Sequence, residues 1–282
     1  MKIQTMSVVV GTKACNAKCP YCVSRLTGNE MSLPIEPNWR NFKRACWLAE
    51  RAGATTILLT GKGEPTLYPH LISDYLVQIQ ENGKFPFIEL QTNGITLCNL
   101  KENLKTWYDL GLTTVSLSAV STSVNVNREI YGENYPPIEE SVALLHKIGF
   151  TVRLSIIMAK NYIYLPNQIE EVVDFCKVNR IKQLTLRPVS APEKVSGEVY
   201  EWVSKHDLSY DEIRAINDYV NAVGHPVLHL THGAIVYDFN GQNLCLANCL
   251  TTNDTDENMR QIIFWPDGSL SHSWQYPGAI LL

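Results

Sequence analysis

Two hydrophobic periods alternate along the first two thirds of the chain. Short β-branched and apolar runs at Ser7–Val10, Thr55–Leu59, Phe87–Gln91, Thr114–Leu117, Thr151–Met158 and Gln183–Leu186 read as strands. Between them, apolar residues recur at helical spacing. Trp39, Phe42, Cys46, Trp47 and Leu48 make a stripe ending before Gly53, and Leu71, Tyr75, Leu76 and Ile79 make one closed by Asn82-Gly83. Leu100, Leu104, Trp107 and Leu110 form a third, stopped by Gly111; Ile138–Ile148 is stopped by Gly149, and Ile169, Val172, Val173 and Phe175 mark a fifth. Strand-then-helix units with short connections predict parallel strands with helices outside. The predicted fold class is therefore α/β, a partial (β/α)6 TIM-like barrel with a small C-terminal β-rich extension. Such barrels place their chemistry in the loops after the strands.

The pattern changes after the sixth strand. Residues 190–208 read as a connection, and Ser209-Tyr210-Asp211-Glu212 carries the Ser-x-x-Glu signature of a capped helix running to Gly224. The rest is turn-rich. Asp267-Gly268 lies between the runs Arg260–Trp265 and Ser269–Trp274, which predicts a hairpin. The expected division is a barrel core over 1–190, a connector and helix over 191–224, and a hairpin extension over 225–282.

Composition adds exclusions. Of the 282 residues, 45% are apolar and the net charge is −4. No block of like charge marks a nucleic-acid backbone footprint. No apolar run approaches the roughly 18 residues of a membrane span, and the polar Lys2–Met6 stretch is too short for a signal peptide. Eight cysteines, three of them tightly grouped, suit a reducing cytosol and a metal site better than a disulfide framework. A cytoplasmic location is expected.

The grouped cysteines are Cys15, Cys19 and Cys22, in the loop after the first strand. Three thiolates on a looping backbone can each reach a different iron of a cubane, leaving one iron open. They can also hold a structural zinc with a fourth ligand from elsewhere, or be buried as small hydrophobes. Cys-x3-Cys-x2-Cys after a first strand, with Tyr21 before the last cysteine, resembles the radical S-adenosylmethionine (SAM) superfamily. The resemblance implies a [4Fe–4S] cluster on the three cysteines. It also implies SAM chelated by the open iron and cleaved to a 5′-deoxyadenosyl radical.

Gly61-Lys62-Gly63-Glu64-Pro65 follows the second strand and resembles the superfamily's Gly-Gly-Glu-Pro motif in a Gly-x-Gly-Glu-Pro form. Its glycines allow close backbone approach, and in the family this loop contacts the methionine amino group of SAM. By the same resemblance Tyr21 packs by the adenine, unless it only shields the cluster from water. Ser116 and Ser118 alternate on the fourth strand and so share a face. They are candidates for ribose contacts, or are serines satisfied by their own backbone. Ser155, Arg187 and the Asn93 of Thr-Asn-Gly complete the SAM-binding candidates; Arg187 needs a carboxylate partner, either from a ligand or from a structural acid.

Cys245 and Cys249 precede the hairpin, and the layout resembles the auxiliary-cluster (twitch/SPASM-like) domain of relatives that rearrange GTP or modify peptides. The position where that pattern has its next cysteine is Ser273, and the spacing is Cys-x3-Cys. Both departures speak against a second cluster, although the two thiols with His272 can still hold a metal. The extension then reads as a degenerate domain whose hairpin caps the barrel mouth, with Phe264, Trp265, Trp274 and Tyr276 as its packing. Cys46 and Cys176 read as buried hydrophobes. Cys98, Cys245 and Cys249 are the candidate hydrogen-atom donors, a role cysteine plays in radical epimerases.

The resulting expectation is an enzyme that abstracts a hydrogen atom from a small molecule, nucleotide or peptide. A flavodoxin- or ferredoxin-type donor supplies the electron. With no recognition domain before the first strand, a peptide is the less favoured substrate. An iron–sulfur carrier or scaffold without SAM chemistry, a zinc-stabilised binding module and a glycyl-radical activating enzyme are the alternatives.

Overall fold

The computed structural model describes residues 2–26, 33–190, 197–230, 233–247, 258–276 and 278–282. The first six strands are β1 (Lys2–Val9), β2 (Thr56–Thr60), β3 (Phe87–Thr92), β4 (Thr114–Ala119), β5 (Thr151–Met158) and β6 (Gln183–Pro188). Helices α1 (Val23–Leu26), α2 (Trp39–Arg51), α3 (Pro69–Asn82), α4 (Lys101–Asp109), α5 (Val124–Tyr131), α6 (Ile138–Ile148) and α7 (Pro166–Val178) fall between or after them. Two further helices, α8 (Glu198–His206) and α9 (Tyr210–Val223), precede β7 (His225–His229), β8 (Ile235–Phe239), β9 (Gln242–Leu246), β10 (Asn258–Phe264) and β11 (Leu270–Ser271).

Among the described residues these form one sheet of 11 strands, in the order β11-β10-β1-β2-β3-β4-β5-β6-β9-β8-β7. β1 to β6 are parallel neighbours in chain order. This is the parallel α/β architecture that the alternating periods predict. The sheet is open between β11 and β7. The later strands extend both sides: β10 runs parallel to β1 and β9 parallel to β6, while β11, β8 and β7 are antiparallel additions.

Strand periodicity sorts the sheet's two faces. Ile57, Leu59, Ile88, Leu90, Val115, Leu117, Val152, Leu154, Ile156, Leu184 and Leu186 are all buried. They share one core with Phe42, Ile72, Leu76, Leu104, Leu145 and Val172 from the helices. Each fully buried side chain of this kind contributes about 1.5–3 kcal/mol. Cys46 and Cys176 lie in this core, where burial pushes both thiols up to about 12. The intervening positions carry the polar residues. Gln91, Ser116 and Arg153 are in register across β3–β5, and Ser118, Ser155, Thr185 and Cys245 across β4–β6 and β9. Because side chains alternate across a strand, these share the face away from the helices.

Local chemistry fixes the ends. The Ser209 hydroxyl accepts from the Glu212 amide while the Glu212 carboxylate accepts from the Ser209 amide, a reciprocal cap that starts α9. Gly149 closes α6 at φ +118°, a conformation that disfavours a side chain. The hairpin turn forms at Pro266–Gly268, where Ser269 donates from its amide and its hydroxyl to the Asp267 carboxylate. Its second strand is shorter than the sequence suggests. β11 covers only Leu270–Ser271, because the Ser273 hydroxyl accepts from the amides of Gln275 and Tyr276 and bends the chain into a turn. The connection predicted over 190–208 contains α8, and α5 has no counterpart among the predicted helices.

Candidate functional site

The first cavity opens at the C-terminal ends of β1 to β6 and has a volume of about 260 Å³. Cys15, Cys19 and Cys22 all line it, together with Tyr21, Gly61, Gly63, Glu64, Pro65, Asn93, Ser118 and Arg187. Residues far apart in the chain therefore converge on one space.

The cysteine loop and the Gly-x-Gly-Glu-Pro loop interlock. The Glu64 amide donates to the Ala14 carbonyl at 3.0 Å. Gly63 lies against the same peptide, so that a Cβ placed on it would overlap the Ala14 carbonyl. This glycine thus makes its close approach to the loop that presents the thiols. Gly63→Ala is expected to displace that loop, costing about 1–3 kcal/mol of stability as overpacking does. Lower iron uptake on anaerobic reconstitution, measured against the wild type, checks it.

Glu64 is 3% exposed, and its carboxylate is fully engaged. Oε1 accepts from the Thr66 amide at 3.0 Å, the Thr66 hydroxyl at 2.6 Å and the Thr92 hydroxyl at 2.7 Å. Oε2 accepts from the Asn93 amide at 2.9 Å. The side chain ties the loop after β2 to the end of β3 and has little capacity left for a ligand. Asn93 continues the chain of contacts: its Nδ2 donates to Asn16 Oδ1 at 2.7 Å, and its Oδ1 accepts from the Ile95 amide at 3.0 Å. Its side chain braces the cysteine loop.

Tyr21 packs into an aromatic wall beside Cys19. Its hydroxyl donates to that of Tyr131 at 2.6 Å, and its ring meets Tyr131 edge-on at 6.4 Å and Trp202 at 5.6 Å. Burial pushes the Tyr21 and Tyr131 phenols well above their ordinary range, so both stay neutral. Tyr135 donates to the Ser118 carbonyl at 2.9 Å, binding the wall to β4. α8 contributes Trp202 against the Tyr21 ring, and of the two unpredicted helices α5 lines the cavity, through Tyr131. Only their aromatic content, Tyr131 and Trp202, hinted at this.

Burial governs the state of the Cys15 and Cys19 thiols. Burial, then the neighbouring Cys22 and Cys15, push the Cys19 thiol up to about 12, and burial raises Cys15. Metal coordination displaces such protons. Arg25 donates from its guanidinium to the Cys19 carbonyl and places positive charge beside the loop. Its position three residues after Cys22 was the only sequence signal for it. Among the described residues no three His, Cys, Asp or Glu side chains are grouped closely enough to hold a single metal ion.

The other candidates divide. Lys62 lines an adjoining cavity; burial, then Lys13, lowers its ammonium to about 8. Ser116 and Ser155 are buried on the polar face and do not line the first cavity, whereas Ser118 and Arg187 do. Cys98 is exposed on the turn after β3 and lines neither of these two cavities. Cys245 stands on the polar face beside Thr185; Cys249 lies outside the described residues. Among the described residues no helix is long and apolar enough to cross a membrane.

Comparison with known proteins agrees with this geometry. The GTP 3',8-cyclase of Vibrio parahaemolyticus serotype O3:K6 is 24% identical over 214 residues, 72% of this chain and 58% of that protein. The GTP 3',8-cyclase of Aeromonas hydrophila subsp. hydrophila is 30% identical over 134 residues, 44% of this chain and 36% of that protein. The chain thus spans 58% of the first relative's length. Among solved structures, Streptococcus suis SuiB bound to the precursor peptide SuiA superposes with a TM-score of 0.65 at 19% identity, over 96% of this chain and 59% of SuiB. Native anSMEcpe with bound AdoMet gives 0.63 at 17% identity, over 97% of this chain and 75% of that one. These structures share the fold. The Radical SAM superfamily profile matches residues 9–185, a span that includes the three clustered cysteines and the Gly-x-Gly-Glu-Pro loop. The chain belongs to the Radical SAM superfamily.

Proposed function

We propose that the protein is a radical SAM enzyme that abstracts a hydrogen atom from a substrate held on the polar face of its sheet. The observation that carries this reading is the convergence of Cys15, Cys19 and Cys22 with Gly61–Pro65 on one cavity. The three thiols would hold a [4Fe–4S] cluster, and the backbone at Gly61 and Gly63 would receive SAM. When bound, the cluster and SAM supply a 5′-deoxyadenosyl radical, with the electron coming from a flavodoxin- or ferredoxin-type donor. The protein's part is to bind, orient and exclude water. The aromatic wall of Tyr21, Tyr131 and Trp202 provides an apolar, water-poor flank for a reactive species.

The relatives are named for GTP 3',8-cyclisation, and SuiB was solved with a precursor peptide. Neither substrate is assigned to this chain. The Ser273 hydroxyl, at the position where the auxiliary-cluster pattern has a cysteine, caps a local turn. This supports a single cluster.

The test is anaerobic reconstitution with iron and sulfide, then addition of SAM and dithionite. A brown protein with about four irons per chain, as one cubane requires, and release of 5′-deoxyadenosine are expected. A colourless product would favour a zinc module. A brown protein that leaves SAM intact would be an electron carrier or scaffold.

A further inference from the structure

A second cavity of about 170 Å³ adjoins the first on the polar face of the sheet. The two share Thr60, Gly61, Gln91 and Arg187, so they are compartments of one space. Among its described lining residues are three cations, Lys62, Arg187 and Arg260, and no carboxylate. The acid nearby on β3 is already committed: Glu89 pairs with Arg153 at 2.7 Å and accepts from Gln91 at 3.0 Å. It neutralises Arg153, and among the described residues no acid pairs with Arg187.

Arg187 itself signals a missing partner. Its Nε is buried and makes no hydrogen bond among the described residues. A desolvated, unmatched guanidinium N–H is costly, and such groups in native proteins call for an explanation. A second observation agrees. Arg187, Arg153 and Arg260 all pull the Cys245 thiol downward against the upward effect of its burial, so the field at that end of the polar face is positive. Lys62 keeps most of its charge at neutral pH, since burial lowers it only to about 8.

We propose that this second cavity binds an anionic group of the substrate, a phosphate or a carboxylate, through Arg187 and Arg260, with Lys62 adding charge and Trp274 forming a side wall. Arginine's planar fork matches either oxyanion with paired hydrogen bonds. Arg187 borders both compartments, so an anion fixed there leaves the rest of the substrate pointing toward the space beside the cysteines. Calling the ligand a substrate rests on the proposed function; the anion site does not.

The experiment is isothermal titration calorimetry on the reconstituted, SAM-loaded protein at low salt, with pyrophosphate and malonate as separate probes. Saturable binding of either is expected. Arg187→Gln and Arg260→Gln should each weaken it at least about tenfold, the effect of losing a charge-assisted hydrogen bond. Arg187→Lys should recover part of the loss, and Arg214→Gln, on the exposed face of α9, should change nothing. Pyrophosphate alone binding identifies a phosphorylated substrate, and malonate alone a carboxylate; both binding supports the site for either. No saturable binding to the wild type, or unchanged affinity in both glutamine variants, overturns it. If Arg187→Gln does not fold, Arg260→Gln and Arg187→Lys decide the matter. Assaying 5′-deoxyadenosine in the same samples separates the two ideas: SAM cleavage without anion binding sinks the subsite alone, and anion binding without SAM cleavage sinks the radical reading alone.

Discussion

Cys19→Ala is expected to leave a folded protein that retains almost no iron after reconstitution and releases 5′-deoxyadenosine only at background. Three protein thiolates are the minimum that holds a cubane while leaving an iron open for SAM. Removing one leaves two, while the loop keeps its hydrogen bonds from the Glu64 amide to Ala14 and from Asn93 to Asn16. The backbone should survive, because the Cys19 carbonyl, not its thiol, accepts from the Cys22 amide at 3.2 Å and from Arg25. Cys19 is also only partly buried, so stability of the iron-free protein should change by less than about 1 kcal/mol. Iron analysis, circular dichroism and chromatography of the SAM products check all three parts. Full iron content together with undiminished SAM cleavage would refute the assignment.

Glu64→Ala carries the second large effect, and it falls on stability. The substitution strands the Thr66 and Asn93 amides and the hydroxyls of Thr66 and Thr92 around a buried gap. The Thr66 hydroxyl retains the Thr96 hydroxyl at 2.6 Å as an alternative, which softens one of the losses. Each neutral buried donor left without its acceptor costs about 1–3 kcal/mol. The midpoint of urea unfolding should fall accordingly, with Glu64→Gln intermediate because its amide keeps the shape but turns a donor toward donors. Cluster loading should fall as well, since Asn93, fixed through Glu64, braces Asn16 between two of the cysteines. A variant as stable as the wild type would show that the carboxylate is not the tie between the β2 and β3 loops.

The repeated strand-and-helix units were legible because each carries its own local signal. β-branched runs end in turn residues, and helical stripes are stopped at Gly83, Gly111 and Gly149. The cysteine spacing and the Gly-x-Gly-Glu-Pro loop were legible for the same reason. α5 was not, since Val124–Tyr131 mixes four apolar positions with polar ones over little more than two turns. Nor was the placement of β9 and β10, because pairing between remote parallel strands leaves no periodic trace in either partner. The site divides along the same line. Arg187 and Arg260 were 73 positions apart in the chain and met only through strand order. Glu64 reads as a ligand-facing motif residue, yet its side chain is spent on Thr66, Thr92 and Asn93, which only the juxtaposition of β2 and β3 reveals.

The seating of β10 beside β1 has a consequence for biosynthesis. Thr5 donates to the Arg260 carbonyl and Ser7 to the Gln261 side chain, across 255 and 254 positions of chain. β1 therefore waits, with one flank bare, until β10 has left the ribosome. Contacts of such long sequence separation form slowly, and a bare strand flank invites pairing with another molecule. Translation stalled before residue 258 would release a product able to stack its β1–β6 units but prone to self-association along β1.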